Sequence, residues 1–179
     1  VGMRQWKQFQ DKTKMIWVPV PLGSVRLGDG LEQLKVDSIP LKYQQFDEET
    51  CMFMALASAL HYCSAEQDMG DKQVASYLAS GAVAFAKGRN ARSQLDLLAK
   101  LMKKQSSYFR KYELRAKSSR VNEWDILNIW SKWLTIVVLL GGDGGQSHSV
   151  TLVGDLVFDS NCTHAMHLSK ETLDWCCNC

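Results

Sequence analysis

A cysteine, a histidine and an aspartate occur in this sequence in an order that suits nucleophilic thiol chemistry. Cys51 lies where an acidic, polar stretch gives way to an apolar run that ends near Tyr62. If this run is a helix, the thiol lies in its first turn, where the positive end of the helix dipole favours the thiolate. The alternative is an inert thiol, because free cysteine is one of the most frequently buried residue types.

A thiol nucleophile needs a base, and the base needs a group that orients it. His148 follows a glycine-rich loop at the start of a predicted strand, and Asp159 ends the next one. If Gly154 and Asp155 form a tight turn between the two strands, His148 lies opposite Asn161 and close to Asp159. A carboxylate or an amide at this place would hold the imidazole through its second nitrogen. The orienting residue is therefore predicted to be Asp159, with Asn161 as the alternative.

Each of these residues also has a purely structural interpretation. His148 could be a solvated histidine at a loop edge, and Asp159 a turn residue, since Asp-Ser-Asn is a common turn composition. Their joint occurrence in this chain order, on these types of element, favours the catalytic interpretation. His61 is assigned a structural role, because it lies near the end of the apolar run.

The elements that must position these residues form a helical part followed by a strand part. The run from Cys51 to Tyr62 has no polar face, which predicts a central helix buried on all sides. Amphipathic patterns predict further helices over 71–88, with Asp71 as the N-cap, over 92–104 and over 121–133.

After Trp133 the hydrophobic period changes. LTIVVLL predicts a buried strand, two more strands join at Gly154, and Ser169 is the predicted N-cap of a last helix. The succession of helices and then antiparallel strands predicts an α+β fold, with a helical half led by the buried Cys51 helix and a β-sheet half. The first 41 residues show little helix signal, and two prolines interrupt the strand-like KMIWVPVPLG.

Composition excludes several classes of protein. The 21 Lys and Arg residues nearly balance the 19 Asp and Glu residues, and no long block of one sign indicates a nucleic-acid or membrane-surface partner. No apolar run reaches the roughly 18 residues that span a bilayer. The six cysteines in a core-rich chain without an export signal predict reduced thiols in a cytoplasmic, reducing compartment. The terminal CCNC cluster lacks paired CxxC spacing, so no metal site is predicted.

With Gln45 six residues before Cys51, the ordered set resembles the papain-like cysteine peptidase superfamily. In that family this glutamine donates its side-chain amide to the oxyanion of the tetrahedral intermediate, together with the backbone N–H of the cysteine. The resemblance implies that Cys51 is the nucleophile, His148 the general base and Asp159 the orienting residue, with no cofactor. It also implies a papain-like catalytic domain over 42–179, preceded by an N-terminal extended segment over 1–41.

Subfamilies of this group are distinguished by residues near the cysteine. The glycine and tryptophan of papain-type sites are absent, because Thr50 precedes Cys51 and Met52 follows it. The acidic lead-in is similar to that of ovarian-tumour-type deubiquitinases, with Glu48 three residues before the cysteine. The late position of Asp159 is more similar to that in papain-like and bacteriocin-processing peptidases. Viral leader-type peptidases have a comparable layout, so the subfamily stays open.

The resemblance implies a cysteine peptidase that hydrolyses a peptide or isopeptide bond of a protein or peptide substrate through a thiol acyl-enzyme. The absence of an initiator methionine adds the expectation that the domain is released, by its own activity, from a longer precursor. Two alternatives remain: removal of a ubiquitin-like modifier, and a catalytically inactive papain-fold module that binds another protein. The sequence predicts no oligomeric state.

Overall fold

The computed structural model of the protein describes residues 15–21, 34–44, 49–64, 69–105, 109, 114–116, 126, 134–140 and 147–177. Within these residues, helices and strands form an α+β fold, as the sequence predicts. The helices are α1 (Cys51–Ser64), α2 (Met69–Ala86), α3 (Ala91–Lys104) and α4 (Lys170–Cys177). The strands are β1 (Met15–Pro21), β2 (Lys35–Pro40), β3 (Leu114–Ala116), β4 (Leu134–Leu140), β5 (His148–Val153), β6 (Leu156–Phe158) and β7 (His164–His167). No helix in this described part is long and apolar enough to cross a membrane.

One sheet contains all of these strands, in the order β2-β7-β6-β5-β4-β1-β3. Among the first five strands of this order, each neighbouring pair is antiparallel. β1 pairs in parallel with β4 on one side and with β3 on the other. Both β1 and β2 come from the segment predicted as an N-terminal extension, so this segment supplies strands to the sheet that carries His148.

The prolines of β1 lie where the sheet tolerates them. Proline lacks a backbone N–H and is confined to places where no ladder hydrogen bond is lost. β3 pairs only with Met15–Trp17, whereas Pro19 and Pro21 pair only with β4. One side of β1 is therefore without a described neighbour at both prolines.

A two-residue turn joins β5 to β6 at Gly154 and Asp155, as predicted. Gly154 has a φ of 58°, a left-handed conformation that tight hairpin turns require and that glycine adopts without steric cost. The register pairs Thr151 with Phe158, Leu152 with Val157 and Val153 with Leu156. Continued past the ladder, this register brings the start of β5 beside the residues that follow β6.

Apolar residues cover both faces of the sheet. Successive strand residues point to opposite faces, so each face packs against a different set of helices. On one face, α1, α2 and α3 share a core with Ile136, Val138, Val153 and Phe158. On the other face, Leu173 and Cys176 of α4 pack against Val137, Leu139, Val150, Leu152 and Val157. The predicted helical half is thus the layer on one face, while the last helix lies on the opposite one.

Helix α1 is the centre of the helical layer and is buried on nearly all sides, as predicted. Eleven of its fourteen residues are buried, and it packs against α2, β5 and β6. α2 begins at Met69, so Asp71 lies in its first turn and not at the predicted cap. The predicted helix over 121–133 lies outside the described residues apart from Ile126, which is helical and buried.

Candidate active site

Cys51 is the first residue of helix α1. The carbonyl oxygen of Thr50 accepts a hydrogen bond from the Met54 N–H at 3.0 Å, which makes Thr50 the N-cap, a position that threonine favours. The Cys51 side chain is buried, with 7% of the residue exposed. At this position its backbone N–H is one of the donors that have no acceptor within the helix. The thiol therefore lies at a helix N-terminus, against the positive end of the helix dipole.

His148 is the first residue of β5, and Asp159 directly follows the last residue of β6. The hairpin brings them together, with 2.9 Å between His148 Nε2 and Asp159 Oδ1. The imidazole also forms a hydrogen bond with the Cys51 thiol. Because Nε2 faces Asp159, we infer that Nδ1 is the ring nitrogen that faces Cys51. The three side chains form one continuous chain of hydrogen bonds.

The orienting group is the carboxylate of Asp159. It is completely buried, and its Oδ1 also accepts a hydrogen bond from the backbone N–H of Asn161 at 3.0 Å. Asn161 itself is exposed, so of the two residues it is Asp159 whose side chain contacts His148. Within the described part of the chain, Asp159 Oδ2 has no hydrogen-bond partner. A buried, half-satisfied carboxylate costs folding free energy, and such groups often belong to functional sites.

The pKa of His148 is raised from 6.5 to about 10. Burial acts in the opposite direction, because it disfavours the charged imidazolium. The hydrogen bonds to Asp159 and Cys51, together with the negative charges of both partners, outweigh burial. The side chain of His148 is only 12% exposed, so water screens these interactions weakly.

The pKa of Cys51 is lowered from the ordinary value of 9.0. Burial raises it, but the hydrogen bond and positive charge of His148, and two hydrogen bonds from Ser149, act in the other direction and prevail. Since the pKa of the imidazole is above that of the thiol, the proton prefers the ring. The pair is then a thiolate beside an imidazolium, the form in which a cysteine is nucleophilic.

Ser149 is the residue of this site that sequence reasoning missed. Hydrogen bonding from Ser149 is one of the smaller causes that lower the pKa of Cys51. The residue is buried, with 3% exposed, and pairs with Val138 of the neighbouring strand β4. No spacing in the sequence marks Ser149 as a site residue. The only available signal was its adjacency to His148 on a predicted strand.

Two further contacts fix the chain that leads to the nucleophile. The buried Gln94 of α3 donates its Nε2 to the carbonyl oxygens of Glu49, at 3.4 Å, and Arg89, at 3.1 Å. Ser58 of α1 accepts a hydrogen bond from the Tyr43 N–H at 2.9 Å and donates one to the Tyr43 carbonyl at 2.7 Å. These bonds tie both ends of the lead-in to the helical layer.

Gln45, the glycine-rich loop and His61 were also singled out in the sequence. Gln45 and the glycine-rich loop at 141–145 lie outside the described residues, so the predicted oxyanion donor stays a prediction. His61 has a half-buried ring that meets the Tyr43 ring edge to face, with centroids 6.1 Å apart. In the described part of the chain no group of His, Cys, Asp and Glu side chains is arranged to hold a metal ion. Four buried cysteines of this part, Cys51, Cys63, Cys162 and Cys176, form no disulfide bond.

Comparisons of the chain with protein-family models, curated proteins and solved structures found no match.

Proposed function

We propose that the protein is a cysteine peptidase that hydrolyses a peptide or isopeptide bond through a thiol acyl-enzyme. The observation that carries the proposal is the chain of hydrogen bonds from Cys51 through His148 to Asp159, with the sulfur at a helix N-terminus. A structural cysteine needs neither a paired imidazole nor a buried carboxylate behind it. The pKa of this thiol is lowered despite burial, which is the signature of an activated nucleophile.

In the acylation step, the Cys51 thiolate adds to the scissile carbonyl carbon, and an electron pair moves onto the carbonyl oxygen. The pair returns as the C–N bond breaks, and the imidazolium of His148 gives its proton to the leaving amine. In deacylation the neutral imidazole takes a proton from water, which attacks the thioester. The C–S bond then breaks and restores the thiolate and imidazolium. No cofactor is needed for either step.

The oxyanion formed in each step needs donors. The backbone N–H of Cys51 is one candidate, because a residue at the first helical position has no acceptor for it within the helix. By resemblance, the side-chain amide of Gln45 is the other. Losing one such donor costs roughly 10²–10³-fold in catalytic rate in related chemistry.

We also propose that this α+β fold is papain-like. It is supported by a buried helix that begins with the nucleophile and packs on antiparallel strands that carry the base.

Removal of a ubiquitin-like modifier would use the same steps on an isopeptide bond. A catalytically inactive binding module would not need the lowered pKa of Cys51. The proposal includes a protein or peptide substrate and a reducing compartment that keeps the thiol free.

The first test is selective alkylation. A brief, limiting dose of iodoacetamide followed by mass spectrometry should label Cys51 far faster than Cys63, which is buried near the other end of the same helix. His148→Ala should abolish this preference, whereas His167→Ala, an exposed histidine on β7, should preserve it. Equal labelling of Cys51 and Cys63 in the wild type would overturn the proposed function.

Turnover is tested on peptide libraries and on ubiquitin-type probes. His148→Ala should lower hydrolysis by about 10²–10⁴-fold, the usual contribution of general acid–base catalysis. Trapping of a thioester on Cys51 with peptide substrates would support a peptidase, and reaction with modifier probes alone would support the isopeptidase form. If Cys51 forms no acyl-enzyme with any of these substrates, the hydrolase proposal is overturned.

A further inference from the structure

The carboxylate of Asp159 can orient the imidazole only if something other than the imidazole holds it. Its Oδ1 accepts two hydrogen bonds, from His148 Nε2 at 2.9 Å and from the backbone N–H of Asn161 at 3.0 Å. Its Oδ2 is buried and has no hydrogen-bond partner within the described part of the chain. Of the two donors, only the Asn161 N–H is independent of the ring that is being oriented.

The turn that follows β6 fixes the position of this N–H. A bond from an aspartate side chain to the N–H two residues later forms an Asx turn. In the same turn the Cys162 N–H donates to the Asp159 carbonyl oxygen at 2.9 Å. Ser160 and Cys162, on either side of Asn161, are 1% and 2% exposed, and Cys162 belongs to the same core as Leu173 of α4. The N–H is therefore held in a buried frame, although the residue that carries it is exposed.

We propose that Asn161 is a positioning residue of the site, which acts through its backbone N–H by holding the Asp159 carboxylate toward the imidazole. The proposal rests on the proposed function and adds a group that touches neither substrate nor sulfur. With the N–H present, Oδ1 is the oxygen that faces His148. Without it the carboxylate can turn about its last side-chain bond, a torsion with a broad energy minimum, because no fixed donor then holds either oxygen.

Packing around the carboxylate is the alternative explanation for its orientation. Asp159 is completely buried, so the atoms around it could hold it without the N–H. The two explanations differ in what loss of the N–H does. Packing alone predicts an unchanged bond between His148 and Asp159, whereas the proposal predicts that this bond weakens while the fold persists.

The test compares two chains that differ by one N–H. Asn161→Ala keeps the backbone amide, whereas L-lactic acid at position 161, the hydroxy analogue of alanine, replaces the N–H by an ester oxygen. The readout is the Nε2 proton of His148, followed by NMR in protein with ¹⁵N-labelled histidine. A hydrogen bond to a charged group changes an equilibrium constant by about tenfold, so this proton should exchange with water about tenfold faster in the ester. Its resonance should also move to higher field, while Asn161→Ala should match the wild type.

The matched control is a second ester, placed far from the turn. L-lactic acid in place of Ala91, the first residue of α3, removes an N–H that has no acceptor within its helix. It should leave the His148 proton unchanged, and thermal unfolding of each chain reports whether the fold is retained.

Amide exchange tests the proposal if the ester at 161 does not fold. The Asn161 N–H of the wild type should exchange with water about tenfold more slowly than that of Asp159→Ala, which lacks the acceptor. Equal exchange in these two proteins would overturn the proposal.

The results separate this inference from the function on which it rests. If the His148 proton is the same in the ester at 161 and in Asn161→Ala, the role of the Asn161 N–H is overturned, while the alkylation test of Cys51 is unaffected. If Cys51 reacts no faster than Cys63, the proposed function fails, and the catalytic purpose of the turn fails with it. Faster exchange of the His148 proton in the ester at 161 alone supports the inference.

Discussion

At the scale of single residues, the decisive property of the site is which group holds the proton. An isolated thiol is more basic than an isolated imidazole, so the proton ordinarily resides on sulfur at neutral pH. Here the pKa of His148 is raised to about 10 and the pKa of Cys51 is lowered from 9.0. Asp159 contributes most of the rise that overcomes burial, because its carboxylate is fully buried 2.9 Å from the ring.

Replacing Asp159 by Asn should move the alkaline limb of the pH profile for peptide hydrolysis. The wild-type alkaline limb, where the imidazolium loses the proton needed by the leaving amine, should lie near pH 10. Without the carboxylate charge the imidazolium is less stable, so this limb moves to lower pH. At the acid limb the imidazole is protonated in both proteins, so the thiolate keeps its cationic partner and this limb should not move to higher pH. The measurement is kcat/KM from pH 5 to 11.

Asn161→Ala is the control for this prediction. Only the backbone N–H of Asn161 bonds to Asp159, and its side chain is exposed, so the profile should not change. A shift with Asn161→Ala and none with Asp159→Asn would show that Asn161, and not Asp159, orients the imidazole.

The sequence predicted the meeting of His148 and Asp159 because a hairpin fixes its own register. One glycine-containing turn determines which residues face each other, and the pairing of Thr151 with Phe158 follows from it. The approach of Cys51 to His148 was not predictable in the same way. It depends on how α1 packs on β5, and no local sequence pattern determines which helix residue lies beside which strand residue.

At the scale of elements, hydrogen-bonding side chains set where helices begin. Ser169 caps α4 as predicted: its Oγ accepts the Thr172 N–H at 3.1 Å. Asn90 caps α3 in the same way, through the Ser93 N–H at 2.9 Å. The cap of α1, Thr50, was not identified from the sequence, since the polar stretch before Cys51 offers several residues able to cap.

Ser58→Ala should detach the segment around Tyr43 from α1. Ser58 is buried and satisfies both the N–H and the carbonyl of Tyr43, so its loss leaves two backbone groups without partners. We expect the free energy of unfolding to fall by about 1–3 kcal/mol. Amide hydrogen exchange should show lost protection at Tyr43, and urea unfolding gives the change in stability.

Ser64→Ala is the matched variant on the same helix. Ser64 is also buried, but it donates only to the His61 carbonyl three residues earlier. It should leave the exchange of the Tyr43 amide unchanged. If Tyr43 remains protected in Ser58→Ala, other contacts hold this segment and the anchoring role of Ser58 is wrong.

At the scale of the whole molecule, the site exists only where two layers meet. Cys51 belongs to the helical layer, whereas His148 belongs to the sheet and Asp159 directly follows one of its strands. The presence of helices and strands was predictable from hydrophobic periods. The insertion of β1 between β4 and β3, and the placement of α4 on the opposite face, were not, because pairings between distant segments leave no local pattern.

Leu56→Ala tests whether the site depends on the docking of these layers. Leu56 is completely buried on α1, five residues after Cys51, and its truncation should lower the free energy of unfolding by about 2–5 kcal/mol. In buffer Cys51 should keep its selective alkylation, since no group of the site is changed. With rising urea, the Cys51 preference over Cys63 should vanish together with global unfolding, at a lower concentration than in the wild type.

Val83→Ala provides the comparison, because Val83 is 57% exposed and its truncation should change stability by about 0.5 kcal/mol or less. If Cys51 loses its preference well before the fold unfolds, the helical layer separates from the sheet as an independent step. The selective reactivity of Cys51 would then depend on an interface between the helical layer and the sheet that is less stable than either layer. If both transitions coincide in every variant, the cooperative unit that keeps the protein folded is also the one that brings the imidazole to the sulfur.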